Sequence, residues 1–376
     1  MKVAIFTGNR ADYGILYPLI KRLIANKAFD VKLIASGSHL SPYFGNTIAD
    51  IKGEFPDTLI LDTLLASDSK ISVLKTMGLT ILGSADLLDN MRPDLLIILG
   101  DRYEALAVAS TAAVLRIKIF HLHGGEITLG AIDNEFRNAI STLSFLHGTA
   151  TEKSRDRLIA MGVEPSLVMN FGSIAVESLT KASLLTRSEL ASKLSYDLKK
   201  EFVLLTIHPA TNTKEDPALI IQWILEVLFE ETPLNIIATF PNPDDGNNSI
   251  IEKLFSFEKR ERCRLKLVKS LGNELYFSTV KHCKFVIGNS SSGIIEAPAL
   301  KTISINIGDR QKGRESAGSI IHSEPNKNKI RNAVFQAVKQ FENKELNFET
   351  PYQKTGTIEN IEKFLMANKN ELIKTS

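Results

Sequence analysis

Two histidines, two glycines and a glutamate stand within six residues, His121-Leu122-His123-Gly124-Gly125-Glu126, where an apolar run ends. Imidazole and carboxylate groups exchange protons near neutral pH, and paired glycines mark a loop whose backbone must pass close to something. His123 and Glu126 are therefore candidate catalytic residues. No further His or Cys ligands stand nearby to make this a metal site. A second acid, Asp101, follows another apolar run in Gly100-Asp101-Arg102. It either caps the helix that starts there or joins the proton chemistry. Asp133, Glu135 and Arg137 open the next helical segment. Carboxylates suit a first helical turn on dipole grounds alone, and Asp133 is kept as a candidate acid or base. His208, followed by Pro209, closes a later apolar run and is the last candidate of this group.

A different chemistry is written in Gly288-Asn289-Ser290-Ser291-Ser292-Gly293, followed by Glu296. Glycines and small hydroxyl residues at a helix start offer N–H groups, hydroxyls and a positive dipole end to a diphosphate. The simpler reading is an ordinary serine N-cap. Glu296, one turn in, would repel phosphate but suits the neutral vicinal hydroxyls of a ribose. Arg310, Lys312 and Arg314 lie in the next strand-end loop, and Arg10 follows the first strand in Gly8-Asn9-Arg10. All could neutralise the same anion. Asn242, in Pro241-Asn242-Pro243-Asp244-Asp245-Gly246, is a ligand candidate by spacing within a segment that is chiefly a turn by composition. No GxGxxG is present, so the dinucleotide fingerprint is absent.

The elements that would position these groups alternate strand and helix. Apolar runs at Lys2–Thr7, Val31–Ala35, Asp94–Leu99, Lys118–Leu122 and Leu167–Phe171 read as strands of a first half. Gly8–Tyr13 reads as a loop, and helical periodicity covers Ile15–Ile24 and Glu104–Leu115. The polar helical stretch Ile174–Lys200 reads as a crossover. A second series follows at Phe202–Ile207, Leu234–Phe240, Arg264–Val268, Phe285–Ile287 and Thr302–Ile305. The expected fold is α/β, with two parallel-sheet, Rossmann-like domains facing each other across a cleft, the glycosyltransferase-B architecture. The expected division is 1–172 and 173–357, with a terminal helix at 358–376 returning to the first domain. In parallel sheets, ligands bind beyond the carboxyl ends of the strands, where the polar clusters fall.

Composition narrows the field. With 376 residues, 44% hydrophobic and 23% charged, the chain has material for two ordinary cores. A formal charge of +2 argues against a nucleic-acid binder. The two cysteines, Cys263 and Cys283, provide no disulfide framework. MKVAIFTGNR reads as a first strand rather than a signal peptide, and no run reaches the roughly 18 uninterrupted apolar residues of a membrane span. A cytoplasmic protein without nucleic-acid or membrane partners is expected.

Taken together, Gly8-Asn9-Arg10, Gly100-Asp101-Arg102, Gly124-Gly125-Glu126, Gly130-Ala131-Ile132-Asp133, His208-Pro209, Phe240-Pro241-Asn242, Gly288-Asn289-Ser290-Ser291 and Arg310-Gln311-Lys312-Gly313-Arg314-Glu315 resemble the UDP-N-acetylglucosamine 2-epimerase family, most nearly its hydrolysing branch. The resemblance spans nearly the whole chain. It implies removal of the C2 proton as UDP leaves C1, then hydration of the glycal to release N-acetylmannosamine, a sialic acid precursor, and UDP. No cofactor is implied, and a homodimer or homotetramer is. By the same resemblance Asp101 and Asp133 take part in proton transfer, and His208 lies near the leaving diphosphate. Ser290, Ser291, Ser292, Gly293 and Glu296 form the UDP-binding helix start, with Arg10, Arg310 and Arg314 as basic contacts. Some members carry a glutamate at the place of His123, so the base is either His123 or Glu126. UDP-N-acetylglucosamine is the first expected substrate. A UDP-linked 2,4-diacetamido-6-deoxy sugar, leading to legionaminic acid, is the alternative. The other readings are a non-hydrolysing epimerase, a glycosyltransferase of the same architecture and a non-catalytic UDP-sugar-binding regulator.

Overall fold

Runs of buried aliphatic residues with polar turns at both ends force a parallel layered arrangement, because strands covered on both faces need helices above and below. The computed structural model of the protein describes all residues except 42–46, 66–68, 130, 210–215, 242–245, 270, 343–345 and 374–376. The chain divides into two compact units. The first comprises Met1–Glu126, Ile132–Ser178 and Lys354–Ser376, and the second Ile127–Ala131 and Leu179–Gln353.

Seven strands build the first unit: β1 (Lys2–Thr7), β2 (Asp30–Ser36), β3 (Leu59–Leu61), β4 (Leu95–Leu99), β5 (Lys118–Leu122), β6 (Leu146–Thr149) and β7 (Val168–Asn170). Their spatial order is β3-β2-β1-β4-β5-β6-β7, all parallel. Alternation along β1 sends Val3 and Ile5 into one core and Ala4 and Phe6 into the other, on opposite faces of the sheet. The second unit holds β8 (Phe202–Thr206), β9 (Asn235–Thr239), β10 (Leu265–Val268), β11 (Phe285–Gly288), β12 (Ile303–Ile307) and β13 (Ile320–Ser323). They run in the order β10-β9-β8-β11-β12-β13, again all parallel. Both units are thus the Rossmann-like α/β folds expected. In each the strand order reverses once, between β1 and β4 and between β8 and β11, and such switch points leave a crevice at the carboxyl ends.

Several local readings change. The helix expected to begin after Tyr13 starts at Arg10, because the Asn9 side chain caps it by accepting from Asp12 N at 2.9 Å. Strands β3, β6 and β13 escape a pattern reading: β3 has three residues, while β6 (Leu146-His147-Gly148-Thr149) and β13 carry polar ones. The segment Ile174–Lys200 contains two helices, Ile174–Lys181 and Arg187–Leu194, the second opened by a reciprocal Thr186–Glu189 capping box. The terminal helix is interrupted, with Thr357–Ala367 ending at Asn368 before a short turn at Lys369–Ile373.

Thr357–Ala367 completes the core of the first unit. Ile361, Phe364 and Leu365 are buried there, and the Phe364 ring centroid lies 5.5 Å from Phe171 and 6.2 Å from Phe120. Phe364→Ala should therefore destabilise the first unit by about 3–5 kcal/mol, read as a lower urea midpoint. An unchanged midpoint would show that this helix contributes nothing to that core.

Candidate functional site

At the switch point of the first unit, β1 and β4 deliver Gly8–Arg10 and Gly100–Arg102 side by side, and β5 adds the His123–Glu126 loop next to them. Gly100 turns the chain with φ +79°. The helix after it begins at Tyr103 with Arg102 as its cap and no capping side chain. Asp101 is therefore no helix cap. Its carboxylate instead pairs with Nη2 of Arg137. Arg137 is one of the largest fully buried side chains, and its Nη1 donates to the Glu126 carbonyl oxygen at 3.0 Å. One buried guanidinium thus fastens the Asp101 loop to the Glu126 loop. Asp133 begins the helix Asp133–Leu143, one turn before Arg137 and on the same face.

The two histidines of β5 divide their roles. His121 is wholly buried, with Nε2 2.6 Å from the Gly100 carbonyl and Nδ1 3.0 Å from Ser141 Oγ. Burial lowers its pKa to about 3, so it is a neutral structural ring. His123 adopts φ +62°, a left-handed conformation uncommon for a residue with a side chain. Its Nδ1 lies 2.9 Å from Glu126 Oε1, while Nε2 has no hydrogen-bonding partner among the described residues. With Glu126 ionised, Nδ1 carries the proton and donates it, and the Nε2 lone pair is left for another group. Gly124 and Gly125 are required by space. A Cβ at Gly124 would press on His121 Nδ1 and Ser141 Oγ, and one at Gly125, where φ is +75°, would overlap the Ser154 carbonyl.

Two acidic neighbours were not among the sequence candidates. Asp12, half-buried, accepts from Asn9 Nδ2 at 2.6 Å. Burial pushes its pKa up to about 7; Arg102 pulls the other way, and the Glu104 carboxylate adds to the rise. Glu104 is itself buried and pairs with Arg102 Nε at 3.4 Å. The signal available for Asp12 was Asn9-x-x-Asp12, an Asn cap with an acid in the first turn. Nothing distinguishes Glu104 from a surface helix glutamate in the sequence. Arg10 lies on the surface at the helix start.

In the second unit the switch point is closed by a neutral device. Asn289 Oδ1 accepts from His208 N at 2.7 Å, and Asn289 Nδ2 donates to His208 O at 2.8 Å. This pair locks the loop after β8 to the loop after β11 and fixes His208, which is nearly buried. Gly288, with φ +149°, lies so close to β8 that a Cβ would overlap the Thr206 carbonyl. The helix Ser292–Ala299 follows. Its cap residue Ser291 makes no side-chain capping bond, but Ser290 Oγ accepts from Ser292 N at 3.4 Å, so a serine does cap this helix start. Gly293 packs the helix start onto Ser304 of β12, where a Cβ would meet Oγ. Half-buried Tyr276, also unforeseen, brings its hydroxyl near Ser290, Ser292 and buried Glu296. Arg310 Nη1 and Gln311 Nε2 both donate to the Asn289 carbonyl, at 3.2 and 3.0 Å. Arg314 N donates to Gln311 O at 3.1 Å within the same loop. The segment Ile127–Ala131, which directly follows Glu126, belongs to this unit, and Leu129 N donates to Lys312 O at 3.1 Å. Asn242 lies outside the described residues.

Buried rings give the first unit a pH signature. His39, His121 and His147 have pKa values lowered by burial to about 4, 3 and 4 from 6.5. All three titrate higher when unfolded, so their contribution is complete above pH 6.5 and is lost as pH falls toward 4. Asp12 acts oppositely, contributing below pH 3.8 and losing that contribution as pH rises through about 7. Three histidines outweigh one half-buried acid. Urea unfolding should show stability falling from pH 7 to pH 5 by on the order of 2 kcal/mol per histidine, reduced by Asp12. Equal stability at both values would show that these rings hold protons in the folded chain.

The profile of the family described as UDP-N-acetylglucosamine 2-epimerase matches residues 21–366. The chain is 39% identical over 344 residues to the GDP/UDP-N,N'-diacetylbacillosamine 2-epimerase (hydrolyzing) of Campylobacter jejuni, covering 92% of this chain and 88% of that one. It is 33% identical over 321 residues to the UDP-N,N'-diacetylbacillosamine 2-epimerase (hydrolyzing) of Legionella pneumophila, covering 85% and 84%. The crystal structure of Methanocaldococcus jannaschii UDP-GlcNAc 2-epimerase, in complex with UDP-GlcNAc and UDP, superposes with a TM-score of 0.81 at 20% identity. It covers 98% of this chain and 100% of that one.

Proposed function

Because the chain belongs to the UDP-N-acetylglucosamine 2-epimerase family, we propose that it is a hydrolysing 2-epimerase of a nucleotide-linked 2-acetamido sugar, with a 2,4-diacetamido-6-deoxy sugar on UDP as its substrate. The choice of sugar follows the substrate named for the Campylobacter and Legionella relatives and displaces UDP-N-acetylglucosamine from first place. UDP-N-acetylglucosamine remains the second reading, supported by the family description.

The observation that carries the chemistry is the His123–Glu126 pair. Glu126 orients the ring through Nδ1 at 2.9 Å, and Nε2 faces no protein partner. In this reading His123 Nε2 removes the C2 proton, and Glu126 stabilises the imidazolium that forms. The base is thus an imidazole with a carboxylate behind it. Elimination breaks C2–H and C1–O together, the electron pair leaves on the UDP oxygen, and a C1=C2 double bond remains. Water then adds hydroxyl at C1 and a proton at C2 on the opposite face. Asp101, paired with Arg137, and Asp133 are the remaining proton carriers. His208, Arg310 and Arg314 offset the charge of the departing diphosphate, and the Ser290–Gly293 helix start with Glu296 holds the nucleotide.

Proton NMR in D₂O tests this directly, with both UDP-sugars and the GDP form of the diacetamido sugar supplied separately. Free manno-configured sugar carrying deuterium at C2, plus UDP, is the expected result. An equilibrating pair of nucleotide sugars would instead establish a non-hydrolysing epimerase, and no turnover of any of them would overturn the reading. His123→Gln and Glu126→Gln should each lower kcat by roughly 10²–10⁴-fold while UDP affinity stays within a factor of two. Glu296→Ala should do the reverse, weakening UDP binding at least about tenfold in calorimetry.

A further inference from the structure

Four residues, His123 to Glu126, place both groups of the proposed base, and their backbone is held from two sides. His123 N donates to the Gly148 carbonyl of β6 at 2.8 Å, which anchors the start of the loop. The chain then turns with His123 at φ +62° and Gly125 at φ +75°. Such backbone is costly for any residue but glycine, so it persists only where its surroundings hold it. Gly124 and Gly125 have no side chains with which to do so. The end of the loop is instead held by arginines on two different helices. Arg157, on Glu152–Ala160, donates from Nη1 to the Gly125 carbonyl. Arg137, on Asp133–Leu143, donates from Nη1 to the Glu126 carbonyl at 3.0 Å.

These two carbonyls belong to the peptide planes before and after the Glu126 Cα. A peptide unit is rigid, so fixing both carbonyls fixes both planes, and with them the direction of the Glu126 Cβ. The side chain leaves the backbone already aimed at His123 Nδ1, which its Oε1 meets at 2.9 Å. Arg157 is itself well seated. Its helix is capped by Thr151 Oγ1, which accepts from Ser154 N at 3.2 Å, and Leu158 beside it is wholly buried. Arg155 Nε ties the same helix to β7 through the Val168 carbonyl at 3.2 Å. The helix also meets the loop at Gly125, where a Cβ would press on the Ser154 carbonyl and Leu158. From this support half-buried Arg157 offers the Gly125 carbonyl a charge-assisted donor, stronger than a neutral one.

We propose that Arg157 is a positioning residue of the reaction: through the Gly125 carbonyl, its guanidinium sets the Glu126 carboxylate behind the His123 ring. The assignment deepens the reading of His123 as base and rests on it. Nothing in the sequence marks Arg157, because Glu152-Lys153-Ser154-Arg155-Asp156-Arg157 alternates in charge like a solvated helix. Without the Arg157 bond, the peptide between Gly125 and Glu126 can rotate while the Arg137 bond on the next carbonyl stays in place. A displacement of about 1 Å in a group that supports the chemistry is enough to cost roughly 10²-fold in rate.

A double-mutant cycle with Glu126 tests this in the full chain. Arg157→Met keeps an apolar stem and removes every donor. It should lower kcat roughly 10–10²-fold, with KM and UDP affinity within about threefold of native. In a Glu126→Gln background the same change should cost less than about threefold more, because the group it positions is already gone. Arg157→Lys keeps the charge on a shorter stem and should fall between native and methionine; it carries the same cycle should the methionine variant not fold. A second readout needs no turnover. The proton that His123 Nδ1 shares with Glu126 should give a downfield proton resonance in the native chain, absent from His123→Gln and lost in Arg157→Met. Penalties that multiply across the cycle would overturn the proposal. So would an Arg157→Met kcat within twofold of native, or a downfield resonance that persists in that variant. A native chain that converts none of the nucleotide sugars overturns the hydrolysing-epimerase reading instead, and the resonance still decides whether Arg157 positions the pair.

Discussion

The first unit is organised by one buried cation. A guanidinium cannot lose its proton at any pH the fold survives, so Arg137, at 2% side-chain exposure, needs a permanent anion and permanent acceptors. It finds the anion in Asp101 and one acceptor in the Glu126 carbonyl. Each of those sits in a loop at the end of a different strand, β4 and β5. The ion pair is thus less a source of net stability than a geometric constraint. The pair holds the conformations of the two loops to one another.

The second unit reaches the same end without charge. The two Asn289–His208 bonds join the loops of β8 and β11, and the Asn289 carbonyl receives Arg310 and Gln311. A neutral amide suits this place because the neighbouring groups are cationic or are helix N–H groups, and a carboxylate there would compete with any anion they bind. Among the residues described, the first unit gathers Asp12, Asp101, Glu104 and Glu126 around two arginines, an acid-rich set that disfavours phosphate. The second presents Arg310, Lys312, Arg314 and a helix start. Acidic and cationic groups at the two switch points are thereby separated into different halves of the sequence.

This division was legible in the sequence because it rests on loops whose residue types are unusual. A Gly-Gly pair between His123 and Glu126, and three serines between glycines, have few structural explanations. The sheets were legible for a similar reason: strands buried on both faces, such as Leu95–Leu99, are nearly pure aliphatic. What stayed hidden depends on long-range contacts. Arg137 reads as a solvated helix residue until β4 and β5 are set beside its helix. Asp12 and Glu104 read as first-turn carboxylates, favourable for the helix dipole and nothing more. Strand β3 pairs as three residues on a sheet edge, too short to leave a period.

The histidine at position 123 shows how one substitution is absorbed. A carboxylate base in this setting would join an already acid-rich cluster, in which Asp12 holds its proton up to about pH 7. Each added negative charge raises the neighbouring pKa values further, and the cluster then shares protons rather than delivering one at a defined atom. An imidazole in its place adds no negative charge to the cluster. Glu126, three residues on, fixes which nitrogen stays bare. The left-handed backbone at His123 is the accompanying strain, and histidine is among the few non-glycine residues that adopt it readily. In the reading proposed above, a histidine at this place keeps a carboxylate in the loop, Glu126, as the support of the ring rather than as the base itself.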